Sequence, residues 1–173
     1  MKKILHNVFH YLKKDSLNRR LGEVDRQVAY KGYEEIRNAL VFWNVHADQE
    51  KWLQQIVNDF PGVKIDKLCF VPEGSKVAVS DEWVILKNSD LGFGGKIQNT
   101  RLQSLMQQRY DIFIDLTENV SALAKYVQMH IPAAFVVGMK KEGGVTDIVV
   151  EDVNGPIQFV DELKKILSGI NRY

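Results

Sequence analysis

Asp115 and Thr117 end the run Tyr110-Asp111-Ile112-Phe113-Ile114-Asp115-Leu116-Thr117, and a carboxylate and a hydroxyl two residues apart at a strand end can hold a substrate hydroxyl or a cation. The preferred reading is structural: Thr117 or Asn119 caps a following helix while Asp115 accepts loop amides. Other strand ends offer Asn44 and His46 after Ala39-Leu40-Val41-Phe42-Trp43, Asn88, Ser89 and Asp90 after Trp83-Val84-Ile85-Leu86, and Gly138 after Ala133-Ala134-Phe135-Val136-Val137. The loop Asp90-Leu91-Gly92-Phe93-Gly94-Gly95-Lys96 adds glycines that let backbone N–H groups approach an anion, with Lys96 as counter-charge. It lacks the Gly-x-x-x-x-Gly-Lys-Ser/Thr spacing of a phosphate loop, and Ile97 stands where the hydroxyl belongs. Nor does it join a first strand to a first helix, as a dinucleotide fingerprint must. Tight turning around an inward Phe93 is the preferred account.

Other catalytic constellations fail on spacing. His6 and His10 lie four apart, a zinc-compatible interval, but no cysteine or third ligand accompanies them. His46 and His130 stand apart from that pair, and His130-Ile131-Pro132 reads as a helix end. No Gly-x-Ser-x-Gly elbow is present. Cys69 is the single cysteine, set in Leu68-Cys69-Phe70-Val71, so a buried inert thiol in a reducing compartment is expected. We therefore expect no metal, no cofactor and no catalytic residue.

The elements that would position these residues emerge from periodicity. Segments 39–43, 63–71, 83–86, 110–117, 133–137 and 146–151 read as strands, the compact apolar run 39–43 as the first of a buried sheet. Trp52, Leu53, Ile56, Val57 and Phe60 share one helical face, with Asp48 as a candidate cap and Pro61-Gly62 as the stop. Thr100 to Gln103 resembles a capping box before Leu102, Leu105 and Met106. A helix over 119–129 shows Val120, Leu123, Ala124 and Val127. After Asn154-Gly155-Pro156, Ile157, Val160, Leu163, Leu167 and Ile170 form the last stripe. Lys140–Gly144 reads as a turn short enough for the sixth strand to pair antiparallel with the fifth.

Alternating strands and helices of this length predict an α/β fold: a three-layer, Rossmann-like (doubly wound), mainly parallel sheet of about five to six strands, with helices on both faces and right-handed crossovers. With 173 residues, 45% hydrophobic and 26% charged, the chain has room for one such domain at 34–173, preceded by a helix and connector at 1–33. Ile4, Leu5, Val8, Phe9 and Leu12 mark an amphipathic helix over residues 3–14. Around it lie Lys2, Lys3, Lys13, Lys14, Arg19 and Arg20 against Asp15 alone. Docking of that stripe on the domain or on a second subunit is preferred over peripheral membrane contact. The net charge of +1 gives no general pull toward nucleic acid or lipid, and no apolar stretch approaches a membrane span, so a cytoplasmic protein is expected.

The block Tyr110–Thr117, its helix and Pro-Ala-Ala-Phe-Val-Val-Gly-Met at 132–139 resemble an uncharacterised bacterial family of unknown function, together with the basic N-terminal helix and the loop 90–96. That resemblance implies a fold and no activity. The same block is similar to the N-terminal half of heptosyltransferase-type glycosyltransferases. The first-strand loop here is Asn44-Val45-His46-Ala47-Asp48, without their glycine and aspartate pattern, and their second domain is missing. The expected role is a non-catalytic domain acting through protein contacts or self-association, with the N-terminal helix as partner element. The alternative is a site for a phosphate- or sugar-bearing metabolite at the carboxyl ends of the strands, using the 90–96 loop with Asn44 and Asp115. A degenerate transferase ranks third.

Overall fold

A computed structural model describes residues 26–92, 96–118, 121–139 and 146–170. The helix expected over 3–14, part of its connector, Phe93, Gly94, Gly95, Asn119, Val120 and the turn at 140–144 lie outside the described residues.

Among the described residues six strands form one sheet: β1 (Asn38–Asn44), β2 (Lys64–Phe70), β3 (Val84–Leu86), β4 (Tyr110–Asp115), β5 (Ala133–Met139) and β6 (Ile148–Val150). Four described α-helices accompany them: α1 (Gln49–Asp59), α2 (Thr100–Gln107), α3 (Ala122–His130) and α4 (Pro156–Ile170). The strand order is β3-β2-β1-β4-β5-β6 and every pairing is parallel. Alternate residues of the central strands feed two cores. Ala39, Val41, Trp43, Ile112, Ile114, Phe135 and Val137 meet Trp52, Leu53 and Ile56 of α1 and Phe159, Val160, Leu163 and Leu167 of α4. On the other face Leu40, Phe42, Leu68, Phe113 and Val136 meet Leu102 and Leu105 of α2 and Leu123, Ala124 and Val127 of α3. Strands covered on both sides cannot alternate apolar with polar, which is why these segments read as unbroken apolar runs. Helix α1 lies on one face as the chain steps from β1 to β2, and α3 on the opposite face as it steps the other way from β4 to β5. The two reversals cancel, and both crossovers keep the same hand.

The parallel β5–β6 pairing corrects the antiparallel expectation. Only eight residues separate the strands, fewer than a parallel crossover usually needs. Here the return is short because β6 has three residues and pairs only with the last three of β5 (Val137↔Ile148, Gly138↔Val149, Met139↔Val150). Asp147 fixes that register: its N–H donates to the Val136 carbonyl and its carboxylate accepts the Val136 N–H. Arg26 pairs with the same carboxylate at 2.8 Å. Gly138 lies within β5 rather than after it. A Cβ there would sit 3.0 Å from the Asp115 carbonyl oxygen on β4, so this step of the sheet requires glycine or a shifted strand.

Two helix caps also differ from expectation. Asn99, not Thr100, caps α2 by accepting the Leu102 N–H, and Ser121, not Thr117 or Asn119, caps α3 by accepting the Ala124 N–H. In both cases the expected residue stands close to a better-placed short polar side chain. Asp48 holds the N-cap position of α1, but its carboxylate makes no capping bond.

Asp111 pins the amino ends of the central strands. Its carboxylate accepts the N–H groups of Arg37 (2.7 Å) and Asn38 (3.0 Å) and the Lys31 ammonium (2.5 Å). Burial alone would raise its pKa. The Lys31 bond, the two amides and the Lys31 charge outweigh that, and the carboxyl stays below its ordinary value. A carboxylate depressed in the folded state contributes stability above the unfolded pKa of about 3.9, lost as pH falls through the lower folded value. Replacing Asp111 with Ala should therefore cost about 1–2 kcal/mol near neutral pH. In urea unfolding the gap to wild type should close in the acid range below about pH 4; a gap of equal size at pH 3 and pH 7 would refute the assignment.

Candidate functional site

In the order β3-β2-β1-β4-β5-β6 the chain leaves β1 and β4 in opposite directions, so the loops beyond their carboxyl ends diverge and open a crevice. A cleft of about 400 Å³ occupies that position. Trp43, Asn44, Val45, His46 and Asp48 line it from the end of β1 and its loop, with Trp52 from α1, Leu116 and Glu118 from the segment after β4, and Asn154, Gly155, Pro156 and Ile157 from the start of α4.

The apolar floor grows from the sheet. Trp43 ends the inward series of β1, 1% exposed, and meets Trp52 and Trp83 edge-on at 5.6 and 5.2 Å. The chain's three tryptophans thus form one cluster against the cleft. Gln49, 2% exposed at the first turn of α1, ties this cluster to the loop. Its Oε1 accepts the Trp43 indole N–H (2.9 Å) and the His46 N–H (3.2 Å), and its Nε2 donates to the Ala78 carbonyl (2.8 Å). A buried side-chain amide therefore shapes the first βα loop where dinucleotide folds use glycine. Cys69, fully buried beside it, has its thiol pushed up to about 12 by desolvation, so the folded chain presents no reactive thiolate there.

The rim is polar. Asn44 Oδ1 accepts the Glu118 N–H (3.0 Å) and clamps the two diverging loops together. His46 is exposed, and its Nδ1 accepts the Asp48 N–H (3.2 Å), which places the proton of a neutral ring on Nε2. Asp48 and Glu118 are exposed, and neither carboxylate has a partner among the described residues. Gly155, at φ +96°, turns the chain into α4, where the Gln158 side chain accepts the Asn154 N–H (2.8 Å). No lysine or arginine is among the described residues that line the cleft.

Of the residues singled out by sequence as strand-end or loop candidates, Asn44 and His46 line this cleft. Asp90 and Lys96 lie elsewhere, because β3 is two strands from β1. Asp90 accepts the Lys87 N–H (2.7 Å) and the Asn99 amide, and the Lys96 carbonyl accepts the Gly92 N–H (2.7 Å) across a short antiparallel bridge, Leu91↔Ile97. Phe93, Gly94 and Gly95 of this loop are outside the described residues. Asp115 and Thr117 are buried at 0% and 1% exposure. Asp115 Oδ1 accepts the Thr117 N–H and hydroxyl (2.9 and 2.7 Å), and Oδ2 accepts the Gln128 amide of α3 (2.5 Å). This carboxylate joins β4 to its helix and is not offered to the cleft.

Asp48, Glu118 and the Asn154–Ile157 turn were not legible as site residues. Asp48 read only as a cap and 154–157 only as a helix start. Glu118 follows the conspicuous Asp115 and Thr117, yet it is the one that reaches the crevice. Strand order was the signal required, since it alone says that the loops after β1 and β4 adjoin.

Two substitutions test these roles. Gln49→Leu strands the Trp43 indole, the His46 amide and the Ala78 carbonyl, and should cost about 1–3 kcal/mol with an altered tryptophan emission; unchanged emission would exclude the tether. Asp115→Ala should cost about 2–4 kcal/mol in chemical denaturation. Asp115→Asn should cost less, because Gln128 Oε1 is buried without a partner and a rotated amide can meet the new NH₂. Equal losses would show that Gln128 does not hold the carboxylate.

Comparison with known proteins adds a family and no activity. No curated protein and no solved structure matches the chain, and the likeness to heptosyltransferase-type enzymes gains no support. Residues 10–170 match the family of unknown function DUF6913, and the chain belongs to that family.

Proposed function

We propose that this domain binds a small organic molecule in the cleft at the carboxyl ends of β1 and β4. One observation carries the reading: the described cleft that lies at the reversal of strand order has a tryptophan floor and a polar rim. Its volume of about 400 Å³ falls within the usual range of ligand pockets. The three loops that shape it are fixed by named bonds, Gln49 to Trp43 and His46, Asn44 to Glu118 and Gln158 to Asn154, so little ordering is left to oppose binding. This ranks ligand binding above action through protein contacts alone, whose partner helix lies in residues outside the description. A reducing, cytoplasmic setting accords with a lone buried thiol. No helix among the described residues is long and apolar enough to cross a membrane.

A metabolite screen by thermal shift tests the reading. A ligand at a hundred times its Kd should raise Tm by roughly 5–10 °C. Ile157→Trp, at a rim position 38% exposed, should fill the cleft, preserve the fold and abolish the shift. A broad screen without a hit, or a shift that survives Ile157→Trp, would sink the proposal.

A further inference from the structure

We infer that the ligand of this cleft is a small organic cation, an amine carried on an apolar or aromatic body. The inference rests on the proposed binding role and adds the charge class. Asp48 and Glu118 stand on opposite loops of the crevice, one after β1 and one after β4, and neither is neutralised by a described residue. Two helix amino ends also face this region, and they bring positive potential. The magnitudes decide the sign: each helix end is worth about half an elementary charge, so α1 and α4 together offset about one of the two carboxylates. Some of the backbone donors beside the rim are absent or already committed. Pro156 has no N–H, the Asn154 N–H is taken by Gln158, and the Gln49 N–H returns to the His46 carbonyl. An anion would meet a net negative rim without a basic side chain among its described residues. A phosphate-bearing metabolite, natural for a Rossmann-like layout, is therefore the wrong class here. An ammonium group satisfies the rim, and its apolar body packs on the exposed Ile157 beside the largely buried Trp52 and Leu116.

Three probes of matched shape separate the charge class from the cleft itself: 2-phenylethylamine, 2-phenylethanol and 3-phenylpropionate, titrated into the full chain with calorimetry and tryptophan emission as readouts. The tryptophan cluster makes emission local to the site. The amine should bind about tenfold more tightly than the alcohol, and the carboxylate more weakly than either, with the preference shrinking as salt is added. Asp48→Asn combined with Glu118→Gln should erase the amine preference while the chain stays folded, because both side chains are exposed, Asp48 makes no capping bond at the head of α1, and neither has a partner among the described residues. Equal binding of amine and alcohol in the wild type, or preference for the carboxylate, overturns the cation assignment and leaves the cleft standing. No response to any probe into the millimolar range, with Ile157→Trp likewise silent, overturns both.

Discussion

The pairing of β1 with β4 is the constraint on which the remaining structure depends. Ala39 to Phe42 lie against Ile112 to Asp115 in parallel register, with the first three strands on one side and the last three on the other. A chain that builds outward in both directions from a central pair must send its first and fourth loops apart, and the gap between them cannot be filled by either crossover helix. Asn44 spans that gap at its base through the Glu118 N–H, and the start of α4 closes it from the side. The cleft is thus a consequence of topology before it is a consequence of any one side chain.

Polar groups are divided between holding the fold and furnishing the rim. Three buried or half-buried groups are committed. Asp115 binds Thr117 and Gln128, Asp111 binds two backbone amides and Lys31, and Gln49 binds a tryptophan and the first loop. Such groups are costly to bury unless paired, and each ties one element of the fold to another. Around the mouth of the cleft stand groups with spare capacity: Asp48, Glu118, His46 Nε2 and the Asn44 amide nitrogen. The division explains why Asp115, the most conspicuous carboxylate in the sequence, is structural, whereas the inconspicuous Glu118 belongs to the site.

Local patterns in the chain were dependable where a covalent or short-range cause stood behind them. The apolar run 39–43 and the stretch 110–117 hold the two central strands, Trp52, Leu53 and Ile56 faced inward at helical spacing, and Pro156 stood at the first position of α4. The misses were contests between near-equivalent local options: Asn99 against Thr100, and Ser121 against Thr117. A one- or two-residue shift of a cap changes little energy in isolation, so its outcome follows how the helix packs. The β5–β6 pairing failed for a related reason. Loop length favoured a hairpin, and the bonds of Asp147 to Val136 favoured the parallel register.

By itself the sequence determined the alternation of buried strands and amphipathic helices, hence a three-layer parallel sheet, because burial periodicity is written residue by residue. It also determined that Cys69 would be an inert core thiol. Only the tertiary structure decided which strand ends are neighbours, since strand order depends on pairings between segments tens of residues apart with equivalent hydrogen-bonding edges. That choice placed Asn44, His46, Asp48 and Glu118 around one cleft and left Asp90 and Lys96 two strands away.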